Sequence, residues 1–268
     1  NALIVWLFGR DVGPYMNALH LSFGLGAFLS PLLVDRAVVA TGGIHWAYWT
    51  LAVLAVPVIV WLLQVPSPPR PAQNSVEASA GSSRSYTGLI WMVMALFFMH
   101  VGVVLGFGGW IYSYAAATGV GADTMGRLLN STYWGAFTLG RLISVPLAVR
   151  LRPRAMLLLD LVGAILSLGV ILVAPAWTPA IWIGTAGLGF SIASLFPATI
   201  NFAERRMPIS GRVTSYFLVG ANAGSMVLPW VIGQLFERKG PGSMMVVFEI
   251  AMILGLGLYF LIRWYTKK

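Results

Sequence analysis

Asn17 and His20 stand three residues apart inside an uncharged apolar run, so on a helix they share one face. Together they offer the hydrogen-bond donors and acceptors that a sugar hydroxyl needs. A histidine's ordinary range lies near neutral pH, so proton coupling is a further option for His20. A second group is Gly106–Tyr114, GFGGWIYSY, where glycines 106, 108 and 109 precede Trp110, Tyr112 and Tyr114. Indole and phenol faces suit the C–H face of a sugar ring, and tyrosine hydroxyls suit its polar rim. The glycines weaken a helix just there, and broken helices at mid-membrane often form transporter sites. Asn130, Tyr133 and Trp134 make a third group, with Asn201 and Asn222 further along. Each group has a plainer use. Asn17 and His20 can bond a neighbouring helix, and Trp and Tyr near helix ends form interfacial belts, the better reading for Tyr114.

These polar groups interrupt a chain that is otherwise oil-like. Of its 268 residues, 58% are hydrophobic and only 9% charged, against about 25% charged in a soluble domain. Val12–Val34, Ala37–Pro69, Ser85–Ala122 and Val213–Phe236 contain no Asp, Glu, Lys or Arg. A spanning helix needs about 20 such residues, and a polar side chain within one faces a cavity or a partner. The expected order begins with the end of a span at Ala2–Phe8, a tight loop at Gly9–Gly13, and a helix from Pro14 to about Val34. A short loop, Ala37–Gly43, leads to a span at Ile44–Leu63. Six more spans follow: Gly88–Ala117, Thr124–Val149, Ala155–Ala174, Ala180–Ala203, Val213–Phe236 and Ser243–Trp264. A break at Pro175–Pro179 is required, because Ala155–Ala203 as one helix would be about 74 Å long. Asn1 reads as the interior of a helix in a longer membrane protein.

Gln64–Thr87 differs in kind. Pro66, Pro68, Pro69 and Pro71 are followed by Ser75, Ser79, Ser82, Ser83 and Ser85, a composition that forms a linker. It divides the chain into residues 1–63, the remainder of one lobe, and residues 88–268, a six-helix lobe. The stretch Asn130–Arg154 is apolar apart from Arg141 and ends in Arg150, Arg152 and Arg154. Lys and Arg are retained on the cytoplasmic side, so this loop fixes orientation. Alternation then puts Arg10, Arg70, Arg84, Arg205, Arg206, Arg212, Arg263, Lys267 and Lys268 on that side, and only Arg36, Arg238 and Lys239 opposite. The linker and the C-terminus are expected to be cytoplasmic. The net charge of +9 is therefore a topology signal and not a nucleic-acid footprint. The chain has no cysteine, and its three histidines lie on different segments. No metal site or cofactor is expected.

Four stretches resemble the major facilitator superfamily, in its fucose-permease and sodium-dependent glucose transporter-like branch. Gly13–Pro31, GPYMNALHLSFGLGAFLSP, is similar to helix five of that branch, and Gly106–Tyr114 to helix seven. Gly140–Arg154, GRLISVPLAVRLRPR, is a loose form of the loop motif between helices eight and nine. Phe196–Gly233 resembles helices ten and eleven. The resemblance implies an all-α integral membrane bundle with about eight full spans, helices five to twelve, plus the end of helix four. It implies secondary active transport of a small polar solute, a monosaccharide first, coupled to H⁺ or Na⁺ by alternating access. It also implies that the face of helix five bearing Asn17 and His20 lines the cavity, with Trp110, Tyr112, Asn130, Tyr133, Trp134, Asn201 and Asn222 as further substrate candidates. The branch often carries an acid where this chain has Val104, so coupling from helix seven is in question.

Arg141, at membrane depth, needs a partner. Counting residues inward, its depth differs from that of Asp160 by only about 5 Å, and the two are expected to pair or share a polar network with Arg150. Glu204, with Arg205, Arg206 and Arg212, is expected in a second cytoplasmic charge network. Such networks would stabilise one of two alternating conformations. Glu249 has no assigned role. A membrane enzyme is unsupported, since there is no acidic metal cluster, nucleophile–base pair or phosphate loop. A carrier of another small organic solute, or a non-transporting scaffold or receptor, are the rival readings.

Overall fold

The computed structural model describes residues 12–65, 86–119, 123–207, 209 and 211–266; the side chains of residues 12–18, 20, 123 and 149 are outside that set. Among these residues nine α-helices follow one another without a strand: α1 (Val12–Thr41), α2 (His45–Gln64), α3 (Thr87–Thr118), α4 (Asp123–Arg150), α5 (Pro153–Val173), α6 (Thr178–Ile192), α7 (Leu195–Glu204), α8 (Gly211–Lys239) and α9 (Gly242–Tyr265). The expected span end at Ala2–Phe8 and nearly all of the Pro- and Ser-rich stretch lie outside the described residues.

Among the described residues, seven segments are long and apolar enough to cross a membrane: residues 21–41 of α1, then α2, α3, α5, α6 with α7, α8 and α9. Helix α4 has the length, yet it is the least hydrophobic of the nine. Arg127, Ser131 and Thr138 on it are buried by protein, for it is wedged between α1, α3 and α6. The core is built by α3 to α9, with Ala27 and Phe28 of α1 packed against it. The outside stays apolar too: Leu159, Leu166, Ile183, Trp230 and Leu254 are each more than half exposed. A surface of that kind needs hydrocarbon around it, since water-soluble monomers rarely show large apolar patches.

Small residues set how closely the helices approach. The seam between α3 and α8 is the most extensive in the molecule. There a Cβ on Gly224 would sit 2.0 Å from the Phe98 carbonyl oxygen, and one on Gly220 would sit 2.4 Å from that of Met94. Gly184 plays the same part where α6 crosses Ser167 of α5, as does Gly140 of α4 against the Phe190 carbonyl of α6. Without a hydrophobic force between helices in lipid, such close backbone contact is the main source of packing energy.

Three boundaries depart from expectation. First, α1 runs on through Asp35 and Arg36 to Thr41, where a loop was expected from Ala37. Asp35 is paired, as described below, so its charge does not end the helix. The stop comes at Gly42, whose φ of 72° permits the left-handed turn and lets its N–H donate to the Val38 carbonyl. Second, α3 is continuous across glycines 106, 108 and 109. Two of those glycines make room for rings: a Cβ on Gly106 would meet Phe248, and one on Gly108 would meet Trp134. Third, the interrupted span is Thr178–Glu204, which breaks at Ala193–Ser194 between α6 and α7. Pro197 lacks an N–H and its ring crowds the carbonyl four residues back, which is that of Ala193.

Candidate functional site

The polar face of α4 meets α1 on one side and α3 on the other. Asn130 donates from Nδ2 to the Gly108 carbonyl at 2.6 Å, while its buried Oδ1 has no partner. One turn on, the Tyr133 hydroxyl donates to the Val104 carbonyl at 2.7 Å, with the ring fully buried. Val104 thus contributes a backbone acceptor where an acid was looked for. Trp134 lies next to the notch left by Gly108 and is nearly buried. Phe23 of α1 meets it edge-on at 5.9 Å, and Tyr133 and Phe137 flank it at 5.1 and 5.5 Å. The result is an amide with a buried, unpartnered acceptor beside an aromatic wall, at a three-helix junction.

Helices α1 and α4 run antiparallel in close register. Gly24 abuts Thr138, Phe28 fills the space beside Gly135, and Asp35 pairs with Arg127. The Arg127 Nε–Asp35 Oδ1 distance is 2.7 Å, with side-chain exposures of 10% and 15%, and the Arg127 guanidinium also reaches the Thr124 hydroxyl at 3.3 Å. This is the one ion pair among the described residues. Reading the sequence missed it. The signal was there, two opposite charges at the edges of long uncharged runs, but nothing in one sequence says that α1 lies against α4.

The other candidates do not converge on the Asn130 site. Trp110 packs against Phe236 at 5.3 Å and over Gly233 of α8, and Tyr112 lies against Gly126 of α4. Asn201 on α7 and Asn222 on α8 are exposed. Asn17 and His20 lie on α1, and their side chains are outside the described residues. The expected Arg141–Asp160 pair does not form. Asp160 accepts from the Ser194 hydroxyl at 2.5 Å, at the α6–α7 break, and Arg141 stacks over Phe137 at 4.6 Å with its Nε buried and unpartnered. A broken helix supplies a hydroxyl donor closer at hand than the guanidinium one helix away. Arg150 and Glu204 are exposed without ion pairs among the described residues, and Arg212 donates to the Tyr216 hydroxyl on its own helix at 3.2 Å. Two more buried polar groups were not anticipated. His100 bonds the Leu96 carbonyl through Nδ1 at 2.8 Å, its Nε2 left unpartnered among Phe97 and Phe196, and Glu249 keeps one buried oxygen without a partner.

A family model described as Major Facilitator Superfamily matches residues 1–229. Human sodium-dependent glucose transporter 1 is 27% identical over 92% of this chain and 54% of its own length. Mouse sodium-dependent glucose transporter 1A is 29% identical, covering 88% and 64%. Human major facilitator superfamily domain-containing protein 4A is 31% identical over 63% of this chain and 33% of its own. The chain therefore spans between about a third and two thirds of these curated relatives. With a helical multi-pass bundle on one side and a match over most of its length on the other, the chain belongs to the major facilitator superfamily.

Proposed function

We propose that the protein is a secondary carrier that moves a monosaccharide by alternating access, coupled to Na⁺ or H⁺, and that it has no catalytic activity. In this reading α1 and α2 belong to one lobe and α3 to α9 to the other, joined by the cytoplasmic segment 64–87, with the C-terminus also cytoplasmic. The α1–α4 seam is then the contact between lobes, and the Asp35–Arg127 pair latches it at one end. The observation that carries the reading is Asn130, whose amide oxygen is unpartnered one turn before Trp134, the residue that meets Phe23 at that seam. The names of the relatives, sodium-dependent glucose transporters, support a sugar as solute and Na⁺ as the first ion to test.

The test is uptake of labelled monosaccharides by the full-length protein in proteoliposomes, with Na⁺ replaced by choline in one arm and the pH gradient collapsed in another. Saturable sugar flux that falls in one of these arms is expected. Good flux of another solute class without sugar flux overturns the substrate. Asn130→Ala should raise the KM for sugar about tenfold, the worth of one hydrogen bond near 1.4 kcal/mol, with the maximal rate less affected.

A further inference from the structure

The Asn130 site takes in none of the charge gathered at the end of the bundle where α4 passes into α5 and where α7 and α9 finish. A cavity of about 430 Å³ opens there, lined by Arg152, Arg154, Arg205, Arg206, Arg263 and Thr266, which is within the size range of small-ligand pockets. Five arginines from three separate parts of the chain line one space, and no acidic residue is among the described residues that line it. The acid nearest in sequence, Glu204, is exposed and makes no ion pair among the described residues. The N-terminal end of α5, starting at Pro153, adds its positive dipole end.

The basin is built rather than incidental. Arg206 at its floor donates from Nη1 to the Phe202 carbonyl at 2.7 Å and from Nε to the Thr266 hydroxyl at 3.1 Å, and it lies 3.6 Å over the Phe202 ring. Burial, with the neighbouring Arg263, Arg154 and Arg205, holds its guanidinium below the usual arginine range, against an opposing effect of Tyr259. Tyr259 in turn donates to the Arg154 carbonyl at 3.0 Å and sits under Arg263. One arginine is thus locked in place, and the mutual repulsion of the set is left for an anion to relieve. Trp264 and Tyr265 follow Arg263 directly and are exposed. Exposed Trp and Tyr at a helix end mark headgroup depth.

We propose that this basin binds a multiply charged phosphate group, carried by the headgroup of an anionic membrane lipid or by a soluble phosphate ester. Its depth beside Trp264 and Tyr265 favours the lipid. A solvated basic face, the plainer reading, would bind nothing saturably.

The test uses the full-length protein in detergent, titrated with short-chain phosphatidylinositol bisphosphate in one arm and inositol trisphosphate in the other, with phosphatidylcholine as the neutral control. Saturable binding is expected in the lipid arm. The R152A/R154A/R205A variant should bind about a hundredfold more weakly, at about fivefold per arginine. A matched variant at the other end, R36A/R238A/K239A, should bind as the wild type does. It removes the same charge, and α8 carries Arg238 and Lys239 about 40 Å away. Binding of inositol trisphosphate alone would support the soluble ester as occupant. Equal weakening in the two triple variants, or no saturable binding in either arm, overturns the proposal. Thermal unfolding without ligand checks that the variants fold, and Arg205→Gln alone, expected about fivefold weaker, serves if the triple does not.

Discussion

Truncating Asp35 strands the Arg127 guanidinium in a site that is about nine-tenths covered. Removing one member of such a pair costs more than the pair contributes, because the charge left behind has no water to return to. Asp35→Ala and Arg127→Ala should each lower thermal stability in detergent. A double-mutant cycle should return a coupling of about 1–3 kcal/mol, and additive losses would show that the pair is an exposed contact of little weight. Asp160 is the contrasting case. Its residue type and depth were readable and pointed to Arg141, yet the hydroxyl of Ser194 holds it. Chain position gives depth along a helix, but not azimuth around it or the neighbour it meets. That is why Asn130, Tyr133 and Trp134 were readable as a polar face, while the roles of their partners Gly108 and Val104 were not.

Helix lengths follow from apolar runs, and their ends fell close to the expected places, as at Val173 and Thr178 around the Pro175–Pro179 break. Where a helix bends was less legible. Glycine and proline both disturb helices, but in lipid a glycine often serves a neighbour's approach. In α3 glycines 106 and 108 pack, and in the span 178–204 the proline breaks. The two roles separate by substitution. Gly224→Ala places a methyl 2.0 Å from the Phe98 carbonyl oxygen, so the α3–α8 seam must open; a loss of more than about 2 kcal/mol is expected, in the range of overpacked cores. Gly109 has nothing within 4 Å of its position, so Gly109→Ala should be neutral or stabilise by up to about 1 kcal/mol. Unfolding midpoints of the two variants check this. A Gly109→Ala protein that folds well but has lost transport would restore the view of α3 as a helix that must flex.

At the scale of the whole molecule, alternation of spans brings arginines of two connections and of the last turn of α9 to one end of the bundle, while α8 carries Arg238 and Lys239 to the other. The charge pattern had that much in it. The contact of α1 with α4 was beyond reach, since which helix of residues 1–63 would touch which helix of 88–268 depends on packing far apart in sequence. The α1–α4 seam is therefore the place to test alternating access. A Cβ at Gly24 lies 3.2 Å from that of Thr138, near the spacing a disulfide requires, about 3.5–4.5 Å, and this chain has no cysteine to compete. Sugar uptake by the full-length protein carrying Gly24→Cys and Thr138→Cys should stop on oxidation and return on reduction. Uptake that continues unchanged with the cross-link closed would contradict a mechanism in which the two lobes part along this seam.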